Sequence, residues 1–168
     1  MKGKAMKVHL TVLLTFYGLA SFAETALPFA DKVLVDKSDR KMWLLQGKNR
    51  YREYDISLGD NPIGHKQQEG DEKTPEGLYK IDYRNPNSSY HLSLHITYPS
   101  AEDKARAKEL GVSPGGNIFI HGLPNGMGAL GFGFKKRDWT DGCIAVNNKE
   151  IEEIWSLVKN GTPIEILP

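Results

Sequence analysis

The stretch of ten residues from Ser89 to Tyr98 gives the clearest periodic signal in the chain, because apolar and polar side chains alternate along it. A period of two residues is typical of a β-strand with one face turned to the core. The apolar positions that we expect on that face are Tyr90, Leu92, Leu94, Ile96 and Tyr98. The opposite face carries two histidines, His91 and His95, together with two hydroxyl side chains.

Shorter apolar runs on either side are separated by clusters of turn residues, which is typical of a strand-rich domain. These runs predict strands over residues 32–35, 41–45, 50–58, 78–83, 117–121 and 163–167. A helix is predicted over 101–110, with end signals at Ser100 (N-cap), Asp103 (capping box) and Gly111 (stop). A second amphipathic helix is predicted to be capped by Asn148 and closed by Gly161. The expected fold is mostly β, with two short helices.

The first 23 residues have the pattern of a secretory signal, with a lysine-rich start, an apolar stretch and a small-x-small cleavage site at Ser21-Phe22-Ala23. The apolar stretch is about 15 residues long, shorter than the ~20 that span a bilayer, although an uncleaved anchor stays an alternative. We therefore predict a signal peptide over 1–23 and a single domain over 24–168. The expected location is the periplasm, after secretion across the inner membrane.

The charge of the predicted domain argues against nucleic-acid binding. The signal contains three of the 22 basic residues and none of the 21 acidic ones, so the remaining chain has a net charge of −2. General nucleic-acid binding requires a clear excess of positive charge.

The chain has a single cysteine, Cys143, and a histidine, His121, lies 22 residues before it with a glycine at its side. A lone thiol in an exported protein has no partner for an internal disulfide, and a thiolate is a strong nucleophile. The amides of Gly142 and Cys143 are candidate donors to an oxyanion. The residues alone leave two interpretations open: a catalytic pair, or a buried small side chain and a hydrogen-bonded core histidine.

Several motifs, in the same order, are similar to the L,D-transpeptidase catalytic domain. The nucleophile segment runs Thr140-Asp141-Gly142-Cys143-Ile144-Ala145-Val146-Asn147 and is preceded by His121-Gly122. Upstream segments also resemble the family, at 58–59, 70–71, 73–79, 85–86 and 91–96. The resemblance extends over roughly residues 32–168 and implies an L,D-transpeptidase-like β-sandwich or barrel.

The resemblance implies a cysteine acyltransferase that acts on diaminopimelate-containing stem peptides of peptidoglycan. Cys143 matches the nucleophile, His121 its base and the Gly122 carbonyl the group that orients the base, while Asn147 matches the asparagine that closes the motif. The thiolate would attack the carbonyl before the terminal D-alanine and form a thioester. An amine from a second stem would then give a cross-link, whereas water would give carboxypeptidase action.

Two positions depart from the family pattern. Asp141 stands where the family usually has histidine, and Ala145 where it often has arginine. A carboxylate at position 141 would raise the pKa of the thiol, or would bind the amino group of a diaminopimelate. Arg137 is the candidate to replace the missing arginine, since a guanidinium binds carboxylates in a bidentate manner. The neighbouring Lys135 and Lys136 fit a solvated loop better.

The other predicted contacts to substrate are Thr140, beside the nucleophile, and His95, on the polar face of its strand. We predict no metal and no cofactor, because His91 and His95 on one strand would be about 13 Å apart. The glycine-rich stretch 123–134 is a candidate lid over Cys143. Alternative functions are an L,D-carboxypeptidase, an amidase that frees a wall-linked protein, and a peptidoglycan-binding module without turnover.

Overall fold

The computed structural model describes residues 27–128 and 137–168, and these contain eight strands and two helices. The strands are β1 (Lys32–Asp36), β2 (Lys41–Gln46), β3 (Asn49–Asp55), β4 (Gly77–Ser88), β5 (His91–Ile96), β6 (Phe119–His121), β7 (Ile144–Ala145) and β8 (Pro163–Leu167). The helices are α1 (Ala101–Leu110) and α2 (Asn148–Leu157). The prediction of a mostly β fold with two short helices is confirmed.

The eight strands form one sheet in the order β3-β2-β1-β8-β4-β5-β6-β7. Neighbours pair antiparallel except β1 with β8 and β6 with β7, which are parallel. The sheet is not closed into a barrel. The chain just after β3 nevertheless reaches the far edge through two isolated bridges, one between Ser57 and Ala145 and one between Gly59 and Thr140. The two edges of the sheet therefore approach each other along the predicted nucleophile segment.

The core lies between this curved sheet and α2, which packs against β5. Ile151 and Ile154 of α2 are fully buried, as are Leu94 and Ile96 of β5. Burying a side chain of this size stabilises the fold by about 1.5–3 kcal/mol. The apolar face of α2 therefore holds the helix, and the strand that leads into it, at a fixed place on the sheet.

Helix α1 has the predicted bounds, since Ser100 and Asp103 form a capping box and Gly111 ends the helix in the left-handed conformation. The second helix differs from its prediction at both ends. Its N-cap is Asn147, not Asn148, because Asn147 forms the capping box with Glu150. The helix ends at Leu157 and not near Gly161, because Val158 is already extended.

Strand β5 is shorter than predicted, and Tyr90 does not lie in the core. His91 has a φ of 66°, which interrupts the alternation before β5 becomes regular. As a result Tyr90 is 39% exposed and its ring packs on His121, whereas Leu94, Ile96 and Tyr98 are buried as predicted.

Two predicted segments lie outside the described residues: the signal over 1–23, and the second half of the glycine-rich candidate lid together with Lys135 and Lys136. Within 27–128 and 137–168, neither helix combines the length and the apolar character that crossing a bilayer requires.

Candidate active site

A cleft with a volume of about 790 Å³ opens on the polar side of β5, β6 and β7. We divide its lining into three parts. The cleft floor contains Phe119, His121, Thr140 and Cys143. The hairpin wall is the β4–β5 side, with Asn85, Ser88, Ser89, Tyr90 and Ser93. The loop wall comes from residues 66–70 and 113–117 and includes Lys66, Glu69, Ser113 and Asn117.

Parallel pairing of β6 with β7 brings the predicted nucleophile and base to the same cleft. Ile120 pairs with Ile144, and both side chains are completely buried in the core. Because side chains alternate along a strand, the residues next to these isoleucines turn to the other face. His121 and Cys143 accordingly both line the cleft floor, although 22 residues separate them in the sequence.

The imidazole of His121 is 4% exposed and is held in one tautomer. Its Nδ1 lies 2.7 Å from the carbonyl oxygen of Gly122, which can only accept a hydrogen bond, so Nδ1 carries the proton and Nε2 has the free lone pair. The rings of Tyr90 and Trp139 lie 4.5 and 5.8 Å from the imidazole, centroid to centroid. Burial lowers the pKa of His121 to about 4, against the opposing effect of the Gly122 bond, so the ring is neutral near pH 7.

The thiol of Cys143 is half-buried, and its Sγ lies 3.6 Å from the carbonyl oxygen of Asn117. Burial raises the pKa of Cys143 to about 11, and the carboxylate of Asp141 also raises it. A hydrogen bond from the Phe119 backbone and the positive charge of Lys66 oppose this rise in pKa. The cleft therefore contains a neutral thiol and a neutral imidazole rather than an ion pair.

The turn before Cys143 is closed by the hydroxyl of Thr140, which donates to the Cys143 carbonyl (2.7 Å) and accepts from the Gly142 amide (3.2 Å). Gly142 has a φ of 120°, and a Cβ there would be 2.5 Å from the Lys73 carbonyl oxygen, so the position requires glycine. The Gly142 amide is thus occupied, contrary to its predicted use as an oxyanion donor. The Cys143 amide donates to no acceptor among the described residues.

The sequence profile of the L,D-transpeptidase catalytic domain (YkuD) matches residues 30–166. The chain belongs to this family. Over 107 residues it is 31% identical to an Escherichia coli K12 protein named "Putative L,D-transpeptidase YafK", a match that covers 62% of the chain and 36% of that protein. The chain therefore spans about a third of the length of this curated relative.

Two solved structures resemble the fold. The helical cell shape determining protein Pgp2 of Campylobacter jejuni has a TM-score of 0.62 and 29% identity, covering 80% of the chain and 46% of Pgp2. An L,D-transpeptidase of Xylanimonas cellulosilytica has a TM-score of 0.54 and 13% identity, covering 84% of the chain and 62% of that structure. The second likeness shows a shared fold alone, and it agrees with the sheet architecture predicted for an L,D-transpeptidase domain.

Six of the predicted site residues are together in this L,D-transpeptidase domain. Thr140, Asp141 and Cys143 line the cleft beside His121, Gly122 accepts the hydrogen bond from the His121 ring, and Gly142 lies buried in the turn. The hydroxyl of Thr140 is used within the turn, while the Asp141 side chain is exposed to the cleft.

The other three predicted residues are not among those that line the described cleft. Arg137 is exposed. The side chain of Asn147 accepts from the Glu150 amide at the start of α2, so its oxygen is engaged in the cap. His95 pairs with Asp82 at 2.6 Å and its ring stacks on Tyr83, behind Phe119.

The cleft lining also includes residues that were not predicted as site residues, among them Tyr90, Asn117 and Lys66. Tyr90 reaches the cleft because of the left-handed His91, and Asn117 presents its carbonyl to Cys143 with a φ of 55°, a conformation that asparagine tolerates better than most residues. Lys66 is 3% exposed despite its charge, and it lines the cleft. No local sequence signal distinguishes Lys66 from its neighbours.

Across residues 27–128 and 137–168, no three side chains of the histidine, cysteine, aspartate or glutamate type come close enough together to hold a metal ion.

Proposed function

We propose that the chain is an exported, cysteine-dependent L,D-transpeptidase that acts on diaminopimelate-containing stem peptides through a thioester acyl-enzyme. The observation that carries this proposal is the presence of Cys143 and a base-competent His121 on the floor of one open cleft. Membership of the L,D-transpeptidase family supports the reaction class and the peptidoglycan substrate. The periplasmic location rests on the signal pattern of residues 1–23.

The resting protonation states favour proton transfer during attack rather than a preformed thiolate. The Cys143 thiol is protonated and Nε2 of His121 is free, so the imidazole accepts the proton as sulfur approaches the substrate carbonyl. The new C–S bond forms first and gives a tetrahedral intermediate. Its collapse breaks the bond to D-alanine, and His121 returns its proton to the leaving amine. An amine of a second stem, or water, then attacks the thioester and releases Cys143.

The tetrahedral intermediate carries a negative oxygen that needs a donor. The Cys143 amide suits this role because it is adjacent to the sulfur and donates to no described acceptor. Loss of one donor of this kind typically costs about 3–4 kcal/mol of transition-state stabilisation. The Thr140 hydroxyl supports the Cys143 amide indirectly, because it donates a hydrogen bond of 2.7 Å to the carbonyl oxygen of Cys143.

The name of the structural relative Pgp2, a helical cell shape determining protein, supports a role in remodelling the cell wall. Remodelling is compatible with either acceptor, since cross-linking and stem shortening share every step up to the thioester. The acceptor is therefore the first property that an experiment needs to resolve.

The test incubates wild-type protein and Cys143→Ala with peptidoglycan whose stems end in diaminopimelate–D-alanine. We expect intact-mass analysis to detect a covalent tripeptide adduct on the wild type and none on the variant. Muropeptide analysis of the same reactions should contain new diaminopimelate–diaminopimelate bridges. Shortened stems without bridges would instead identify an L,D-carboxypeptidase, and the absence of both adduct and product would contradict the proposal.

A further inference from the structure

Lys66 is a buried lysine in the wall of the cleft. Its side chain is 3% exposed, yet it lines the same cleft as Cys143 and Asp141. Among the described lining residues it is the one lysine or arginine, whereas Glu69 and Asp141 are acidic. Lysine is almost never this buried without a partner, so the hydrogen bonds of its ammonium group indicate what the group can do.

Two of the three N–H groups of Lys66 have acceptors. Nζ donates to a carboxylate oxygen of Asp71 at 2.7 Å and to the carbonyl oxygen of Gln68 at 3.1 Å. An ammonium group has three donors, and no further acceptor for Nζ is found in the part of the chain that the structure describes. One donor of a buried charged group in the cleft wall is therefore available to a ligand.

The ammonium group is held in place by a preorganised loop. The carboxylate of Asp71 also accepts hydrogen bonds from three backbone amides, those of Gln67 (2.8 Å), Gln68 (3.1 Å) and Lys73 (3.1 Å). The carbonyl of Lys73 in turn lies directly against Gly142, next to the nucleophile. Lys66 is thus fixed relative to Cys143 through one short loop.

The charge of Lys66 acts on the reaction centre. It lowers the pKa of Cys143, whereas Asp141 raises it, so both charges lie within electrostatic range of Sγ. The other titratable groups that line the cleft are His121, Tyr90 and Glu69. Of these residues, only Lys66 can supply a fixed positive charge near pH 7.

We propose that Lys66 binds a carboxylate of the stem peptide and thereby selects substrates with a free acid over their amides. This inference rests on the proposed function for the identity of the peptide. The carboxylate has two possible sources in the donor stem: the side-chain centre of diaminopimelate and the terminal D-alanine. An ammonium group binds either one as a point charge with a single charge-assisted hydrogen bond.

The experiment measures peptide binding in the Cys143→Ala background, where no acyl-enzyme can form, so that the result does not depend on turnover. Isothermal titration calorimetry compares the tetrapeptide stem with two amides, one at the diaminopimelate carboxyl and one at the terminal D-alanine. We expect one amide to bind about 10- to 100-fold more weakly than the free acid, as for the loss of a hydrogen bond between charged groups. In Lys66→Met this ratio should fall to nearly one, and the affected amide identifies the source.

The matched control is Lys73→Met, the same substitution in the same loop at a lysine that does not line the described cleft. It should keep the preference for the free acid. Lys66→Met leaves the Asp71 carboxylate without its cationic partner. The double variant Lys66→Met/Asp71→Asn removes both charges of the ion pair, and it is measured alongside the single variant.

Equal binding of the acid and both amides by the Cys143→Ala protein would overturn the assignment of Lys66 without any further variant. An unchanged ratio in a folded Lys66→Met or double variant would also overturn it. Neither outcome bears on the proposed function, which is tested separately by the covalent adduct on the wild-type protein.

Discussion

The cleft floor and the loop wall are built in opposite ways. The floor presents His121 and Cys143 next to isoleucines that are completely buried, and both side chains are neutral at rest. The loop wall has no strand, and its shape depends on a charged pair, Lys66 with Asp71, and on the backbone amides around it. Under the two proposals made above, bond-making belongs to the apolar floor and substrate selection to the charged wall.

The largest expected effect comes from removing the proposed base on the cleft floor. His121→Gln removes the base while keeping a polar side chain, and we expect kcat on stem peptides to fall by about 10²- to 10⁴-fold, the usual contribution of general base catalysis. His95→Gln is the matched control, because His95 is bound to Asp82 and does not line the described cleft. Rates from muropeptide release should change less than threefold in this control, roughly the scatter expected for an uninvolved residue. An equal loss in both variants would contradict the assignment of the base.

A second expected effect tests the burial of His121 on the cleft floor through the pH dependence of the free energy of unfolding. The pKa of His121 is about 4 in the folded protein and 6.5 in an unfolded chain, so between these values the unfolded state binds more protons. The free energy of unfolding should therefore decrease as the pH falls from 6.5 to 4, by about 3 kcal/mol in total.

Urea denaturation at pH 7 and pH 4.5 measures this effect, and the comparison of wild type with His121→Gln isolates it from other titrating groups. The variant should lose less free energy of unfolding over this interval than the wild type. The same loss in both proteins would show that His121 is not buried as a neutral ring.

The smallest expected effect measures how much the Asp141 carboxylate contributes to the pKa of Cys143. Asp141→Asn removes a carboxylate that raises the pKa of Cys143, so the thiol should ionise at lower pH. We expect iodoacetamide to alkylate Cys143 about two- to fivefold faster at pH 8.5, with a difference that shrinks in high salt because Asp141 is exposed. Asp39→Asn, in the turn before β2, removes an equal charge away from the cleft and should leave the rate unchanged. A slower rate in Asp141→Asn would reverse the sign that we assign to this carboxylate.

The parts of the fold that were predictable from sequence are those whose determinants are local. The bounds of α1 follow from three residues at its ends. Strand β8 follows from its short apolar run, because caps and short-range patterns act within a few residues. The second helix was misplaced by one residue at its start, since Asn147 and Asn148 are both competent caps and only the partner Glu150 distinguishes them.

The candidate site was predictable from sequence only for the residues that lie in a recognisable motif. Cys143 and His121 each lie in a recognisable segment with a glycine at its side. Lys66 was not predictable, because its burial depends on Asp71 and on a loop whose Lys73 carbonyl lies against Gly142, far away in the sequence. Arg137 was favoured because a guanidinium binds carboxylates in a bidentate manner, but the chemistry of a side chain does not determine its direction on a loop.

The neutral resting state of Cys143 has a consequence for the lifetime of the protein. Peroxides and disulfides react with thiolates far faster than with thiols. A sulfur whose pKa is raised to about 11 is therefore less exposed to oxidative damage. Under the proposed function, the burial that makes this cysteine dependent on an imidazole for its activation would also preserve it between one turnover and the next.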